Sequence, residues 1–263
     1  MVKKIPLLSF FAMTDTGRKR NLNEDTFLID EQLGLWVLAD GMGGYGSGDI
    51  ASQITVKHIV QCIKHGYSLV DSINSAHDAV LEAAKQGRGN WGMGTTVVVL
   101  RVINSDYEIA WIGDSRAYLF EDNQMYQLSK DHSLVQEMVD EGEITQEQAE
   151  YHPDRNIISQ AVGSPEIDSV RVDIATGKLL AGNSILLCSD GLTTEVKEVE
   201  IARILQLDIP VETKVKTLIK AALDSGGKDN VTVVIVEKGL SEKHIKKTQG
   251  VFRHINNFFK KIR

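Results

Sequence analysis

LWVLADGMGGYGSGDIAS, residues Leu35 to Ser52, is the stretch on which the reading of the chain turns. Leu35 to Ala39 is an apolar run of strand type. It delivers one carboxylate, Asp40, to the start of a glycine-rich turn, beyond which Ser47 or Asp49 is placed to cap a helix. Upstream, Thr26 to Asp30 is a second short strand, and Glu31-Gln32-Leu33-Gly34 reads as the turn of a hairpin joining the two. Downstream, Val56, Ile59, Val60 and Ile63 follow helical spacing, and a second helix is expected over about Asp71 to Lys85. Two helices in succession, with no strand between them, exclude a βαβ unit. That matters because Gly41-Met-Gly-Gly-Tyr-Gly46 satisfies G-x-G-x-x-G after a strand. A dinucleotide site needs a parallel strand ending in an acidic residue about 20 residues further on, and there Ile59 to His65 reads as helix.

Further along, Thr95 to Val102, Tyr107 to Ile112 and Arg116 to Phe120 are β-rich. Asn104-Ser105 and Gly113-Asp114-Ser115 separate them, so the spacing predicts an antiparallel meander. From Asp131 to Ser164 the pattern changes to two short helices, Leu134 to Glu141 and Gln146 to Tyr151, and a loop with His152, Pro153 and Asp154. This reads as a surface insertion. Strands are expected again at Ser169 to Ile174 and Ser184 to Cys188, helices at Val196 to Leu205 and Val211 to Leu223, and a last strand at Val231 to Glu237. Met1 to Phe11 lacks the small-residue cleavage site of a signal peptide and reads as an opening strand. Strands and helix pairs segregated along the chain give the α+β class: a central β-sandwich of two antiparallel sheets flanked by helix pairs. One domain is expected over 1–239, with the insertion at about 131–164 and a tail at 240–263.

Composition narrows the function. The chain is 42% hydrophobic and 25% charged, ordinary for a soluble globular protein. No apolar run reaches the roughly 18–20 residues of a membrane-spanning helix. Cys62 and Cys188 read as buried free thiols in a reducing cytoplasm. Residues 240–263 carry seven Lys/Arg against Glu242 alone, net +6, so the overall charge of −7 leaves −13 on residues 1–239. An acidic body argues against nucleic acid as a partner. In the tail, Val251, Phe252, Ile255, Phe258, Phe259 and Ile262 fall at helical spacing between basic residues. Such a segment docks on an acidic body, or binds an anionic membrane surface or a partner.

Five aspartates share one context. Asp25, Asp40, Asp114, Asp190 and Asp229 each stand where an apolar strand begins or ends, mostly beside Gly or Ser. Negative charge at the end of a buried strand is costly unless compensated. If packing brings these ends together, cations must accompany them, and an all-oxygen ligand set suits Mg²⁺ or Mn²⁺. No HExxH or paired Cys motif supports zinc. Two hard cations can lower the pKa of a shared water for in-line attack on phosphorus. Arg20, five residues before Asp25, brings the guanidinium fork that matches a phosphate.

On these pieces the chain resembles a metal-dependent protein phosphatase of the PP2C type, in its bacterial single-domain form. They are Arg20-Asn-Leu-Asn-Glu-Asp25, Val37-Leu-Ala-Asp-Gly-Met-Gly-Gly44, Gly92-Met-Gly-Thr-Thr96, Trp111-Ile-Gly-Asp-Ser-Arg116, Leu187-Cys-Ser-Asp-Gly191 and Lys228-Asp-Asn-Val-Thr232. The resemblance extends to about Lys238. It implies that Asp40 bridges two metal ions, with the Gly41 carbonyl on one and Asp190 and Asp229 on the other. It implies that Glu24 and Asp25, with Asn230, hold metal-bound waters, that Asp114 with Asp190 serves a third ion, and that Arg20 binds substrate phosphate. The 131–164 insertion corresponds to the variable flap of that family. The implied reaction is hydrolysis of phosphoserine and phosphothreonine in proteins by a metal-activated water, reversing a cognate Ser/Thr kinase, in a cytoplasmic monomer.

One departure from the animal forms is informative. Met42 stands where those carry a histidine, and methionine donates no proton. A metal-bound water, rather than His152 of the flap, is then expected to protonate the leaving group. Arg116 reads as an ion-pair partner of one of the carboxylates, and His132 and His152 as flap residues. A catalytically silent phosphoprotein-binding module is the competing class, but such modules lose ligands that this chain retains. A metal-dependent phosphodiesterase or nuclease fits the ligands and not the acidic body.

Overall fold

The computed structural model describes residues 8–42, 47–167 and 169–239; the first part of the expected opening strand, residues 43–46 and the tail at 240–263 lie outside them. In chain order the elements are β1 Leu8–Asp15, β2 Asp25–Asp30, β3 Leu35–Met42, α1 Gly48–Lys64, α2 Leu69–Lys85, β4 Gly94–Thr95, β5 Val97–Ile103, β6 Asp106–Ile112, β7 Arg116–Glu121 and β8 Gln124–Gln127. They continue with α3 Leu134–Asp140, α4 Gln146–Glu150, β9 Asp173–Lys178, β10 Ser184–Cys188, α5 Asp190–Thr193, α6 Glu198–Leu205, α7 Val211–Ser225 and β11 Val231–Lys238.

Two antiparallel sheets form the sandwich. One has the order β1-β11-β10-β7-β8; the other has β2-β3-β5-β6-β9, with β4 paired to β3. Strand alternation explains the layering. Trp36, Leu38, Val98, Leu100, Ile109 and Trp111 meet Ala117, Leu119, Ile185, Leu187, Val234 and Val236 between the sheets. Their neighbours Leu35, Val37, Val97 and Val99 face the other way, onto Val56, Ile59, Ile73 and Val80 of α1 and α2. On the opposite side Tyr118, Leu186, Val233 and Ile235 pack on Ile201, Ile204, Val215 and Leu218 of α6 and α7. Strands buried on both faces lose the apolar–polar alternation of half-exposed ones, which is why β3, β5 and β11 read as continuous apolar runs.

Three expectations are corrected. The meander breaks after β6: β6 pairs with β5 and β9, whereas β7 pairs with β10 and β8 in the other sheet. The crossing is made at Gly113, whose φ of 97° turns the chain out of its sheet where a residue with a Cβ would be strained. The strand expected over Ser169 to Ile174 lies at Asp173–Lys178. Val170 and Val172, which signalled it, pack instead into the core under α1 and α2. The N-cap of α1 is Ser47, but its side chain makes no capping bond; its hydroxyl accepts from Asn90 N–H.

Within 131–164 the two short helices form as expected, as α3 and α4. The segment is rooted by bridges Ser133–Ile158 and Thr95–Val162.

Candidate active site

The β2–β3 hairpin sets Asp25 directly opposite Asp40. Like charges in that relation destabilise an antiparallel pair unless something compensates them. Three more carboxylates join from both sheets. Asp114 lies in the β6–β7 crossing, Asp190 opens α5 directly after β10, and Asp229 precedes β11. Burial, followed by repulsion from Asp25, Asp190, Asp114 and Asp229, holds the Asp40 carboxyl well above the usual carboxylate range. Burial likewise pushes Asp114 up to about 8, helped by Asp190 and Asp131. It raises Asp190 to about 6, helped by Asp229. For Asp25 burial wins over hydrogen bonding and the group reaches about 7. Asp40, Asp114, Asp190 and Asp229 each keep an edge open to solvent, whereas Asp25 is buried.

The backbone around these groups is held from several directions. Asp40 N–H donates to Thr96 Oγ1 at 3.2 Å, and its carbonyl accepts from Thr96 N–H at 2.9 Å and Thr95 Oγ1 at 2.8 Å. Asp25 Oδ2 accepts from Ser189 Oγ and Thr232 Oγ1, at 2.8 and 2.6 Å, while its Oδ1 is buried without a partner. Gly41 admits no side chain: a Cβ there would lie 2.2 Å from the Gly48 carbonyl oxygen and 2.6 Å from that of Glu24. The chain passes so close because Glu24 ties the site to α1, its Oε1 accepting Gly48 N–H at 3.0 Å. A carboxylate there satisfies a free N–H of the first turn and meets the positive end of the helix.

Asn230 serves as the latch of the 16–24 loop. Its Oδ1 accepts Glu24 N–H at 2.8 Å, and its Nδ2 donates to the carbonyls of Thr16 and Leu22, both at 2.9 Å. The side-chain amide of Asn230 is thus committed to backbone. That loop carries Arg20 to the rim, where Nη2 donates to Asp229 Oδ2 at 2.7 Å. Arg116 pairs with Asp131, through Nη2 to Oδ2 at 2.7 Å and Nε to Oδ1 at 3.0 Å, not with any of the five aspartates. His132, expected on the flap, is buried at its root.

All nine residues expected at the site therefore lie on or beside one cluster. The Ser and Thr partners are residues that sequence reasoning missed, although Ser189 stands next to Asp190, Thr232 three residues after Asp229, and Thr95 and Thr96 within the Gly92–Thr96 piece. Their signal was that adjacency: a carboxylate needing compensation beside a hydroxyl able to donate.

A divalent cation fits this donor set. Partly buried, mutually repelling carboxylates with one bare buried oxygen, Asp25 Oδ1, form an oxygen-only environment for a hard ion. Among the described residues no group of three His, Cys, Asp or Glu is already arranged to hold a metal. Coulombic coupling reaches well beyond a metal–oxygen bond, so the two findings agree: the carboxylates share one region without forming a closed cage.

Residues 16–228 match the family described as Protein phosphatase 2C. The chain belongs to the protein phosphatase 2C family. It is similar to protein phosphatase PhpP of Streptococcus pneumoniae serotype 2, with 38% identity over 235 residues that cover 85% of this chain and 95% of that protein. The fold is similar to that of the Mycobacterium tuberculosis serine/threonine phosphatase PstP/Ppp, with a TM-score of 0.80 and 35% identity, covering 89% of this chain and 99% of the other. It is also similar to the catalytic domain of PstP in complex with two manganese ions, with a TM-score of 0.75, 33% identity, and coverage of 88% and 97%. The protein phosphatase 2C sandwich is thus the fold in which the five aspartates are brought together.

Proposed function

We propose that this protein phosphatase hydrolyses phosphoserine and phosphothreonine monoesters in proteins, opposing a cognate Ser/Thr kinase in the cytoplasm as a monomer, and that it uses Mn²⁺ or Mg²⁺. The observation that carries the reading is the pairing of Asp25 with Asp40 across β2 and β3, with Asp114, Asp190 and Asp229 near enough to repel Asp40. Asp40, the Gly41 carbonyl, Asp190 and Asp229 would hold two ions, and Asp114 with Asp190 a third. When bound, these ions supply Lewis acidity and a nucleophilic water.

The chain's own residues do the rest. Thr95 and Thr96 fix the Asp40 peptide, the backbone from which that carboxylate projects. Ser189 and Thr232 orient Asp25 behind it. Asn230 and Glu24 hold the loop that presents Arg20, a fork suited to two phosphate oxygens at the rim. Exposed Arg20 and half-exposed Asp229, paired at the rim, leave that edge open to a phosphorylated side chain arriving from solvent. Met42, beside Gly41, offers no proton to a leaving group.

Turnover of p-nitrophenyl phosphate and of a phosphothreonine peptide, lost with chelator and restored by Mn²⁺, is the expected result. Hydrolysis of bis-p-nitrophenyl phosphate or DNA at a comparable rate would overturn the monoesterase reading. Phosphopeptide binding without turnover would favour the silent module. The reading extends to residues 240–263, which we assign to contact with an anionic membrane surface.

A further inference from the structure

His132 is 3% exposed and lies between the flap root and the β6–β7 crossing. Both its ring nitrogens are used. Nδ1 accepts Gly113 N–H at 3.2 Å, so Nε2 carries the proton and donates it to Asp173 Oδ2 at 3.2 Å. Its backbone N–H also donates to the Gly113 carbonyl at 2.9 Å, and its own carbonyl accepts Ser159 N–H at 2.9 Å. Gly113 is therefore held at both backbone polar groups by one residue. It is the left-handed glycine at which the chain leaves its sheet, and Asp114 is the next residue.

On the other side of the crossing, Ser115 Oγ lies 2.8 Å from Thr96 Oγ1, which in turn accepts Asp40 N–H. Asp114 is thus suspended between two anchors. The Thr96 side ties it to Asp40, and the His132 side ties it to β9 and to the flap. Asp173, which takes the His132 proton, also lies 3.6 Å from Arg171 Nε. A leucine of similar volume would fill the space; only a group with an acceptor and a donor on opposite edges bridges Gly113 to Asp173.

We propose that His132 is a positioning residue of the active site, setting where the Asp114 carboxylate stands by gripping both backbone groups of Gly113, with Asp173 as its brace. The inference rests on the proposed function, in which Asp114 serves a metal ion. Changes behind metal ligands cost roughly 10–100-fold in affinity or activity. In the full chain, His132→Leu is expected to weaken Mn²⁺ binding measured by calorimetry, and to raise the Mn²⁺ concentration for half-maximal activity, by about tenfold or more. It should lower kcat on a phosphothreonine peptide with little change in KM, and His132→Gln, which keeps an acceptor and a donor, should recover part of the loss.

A lower melting temperature with an unchanged Mn²⁺ isotherm in the folded protein would mean a structural role only and would overturn the inference. Should His132→Leu not fold, Asp173→Asn at the more exposed end of the bridge reads the same quantity, and wild-type Mn²⁺ binding in that variant overturns it equally. A wild-type chain that neither binds Mn²⁺ nor needs it removes the proposed function and this inference together. Normal wild-type binding with unaltered variants removes this inference alone.

Discussion

Asp25 and Asp40 concentrate the energetics of the molecule at single side chains. Asp25 at about 7, Asp190 at about 6 and Asp114 at about 8 all stand above the unfolded carboxylate value near 3.9. The folded state therefore binds these protons more tightly than the unfolded chain does. Their contribution to stability is fully present below about pH 4 and is lost as pH rises through the folded values. Because the groups are coupled, the loss belongs to the cluster and not to one residue. In chelator, the melting temperature is expected to fall between pH 5 and 8, and added Mn²⁺ should raise it most at the alkaline end. A melting temperature that climbs across that range would contradict the assigned cluster. Asp190→Asn should remove one of the repelling charges, raising stability in chelator at pH 8. The same change should lower kcat by at least about the tenfold seen when outer contacts of metal sites are lost. Asn230→Ala deletes three hydrogen bonds to the 16–24 loop. Each such bond is worth about 0.5–1.5 kcal/mol, a deficit that denaturant titration would register.

At the scale of elements, β3 passes α1 at backbone contact distance where Gly41 meets Gly48. A Cβ at Gly41 would lie 2.2 Å from a backbone oxygen of α1, and backbone cannot swing aside as a side chain can. Gly41→Ala is expected to cost about 1–3 kcal/mol, the usual range for overpacking, and to displace Asp40, so that unfolding and phosphatase assays both report it. A variant as stable and as active as wild type would refute the close approach. Helices α1, α2 and α7 were legible because their apolar spacing is written in the chain itself, and so was the β2–β3 hairpin that faces Asp25 with Asp40. The β6–β7 crossing was not legible. Strands adjacent in sequence usually pair, and both β6 and β7 are buried on two faces, so neither carried an alternation that would have told one sheet from the other. Nor did sequence order distinguish Arg116 beside Asp131 from Arg116 beside Asp114. That choice depends on where the flap root returns, which is a matter of packing. The hydroxyls behind Asp25 belong to the same class: Ser189 and Thr232 are local in sequence to Asp190 and Asp229 and bond instead to Asp25.

For the molecule as a whole, the sandwich separates its two ends. β11 starts beside Asp229 and runs eight residues, about 25 Å at strand rise, to Lys238. There the Lys238 ammonium donates to Ser105 Oγ and the Leu179 carbonyl, at the end of the sheets away from the carboxylates. The described residues thus end at Gly239, at the end of the sandwich opposite the active site. The surface cavity beside that end is lined by Arg101, Asp106, Tyr107, Glu108, Thr176 and Lys178, with Lys178 already paired to Asp106 at 2.7 Å. Its charges balance, so it offers no net attraction to a segment of net +6. An anionic bilayer offers about 1 kcal/mol for each basic residue at its surface, together with burial for Phe252, Phe258 and Phe259. A chain held there by its tail would keep the carboxylate cluster turned toward solvent and toward phosphoproteins. Full-length protein is accordingly expected to co-sediment with phosphatidylglycerol-containing vesicles and to be released by added salt, while phosphatidylcholine vesicles and a truncation after Gly239 show little binding. Because Gly239 lies at the far end of β11 from Asp229, truncation should not alter kcat on a soluble phosphopeptide. Equal vesicle binding by both forms would remove the membrane assignment. A rise in kcat on truncation would instead place the tail on the body, covering the site.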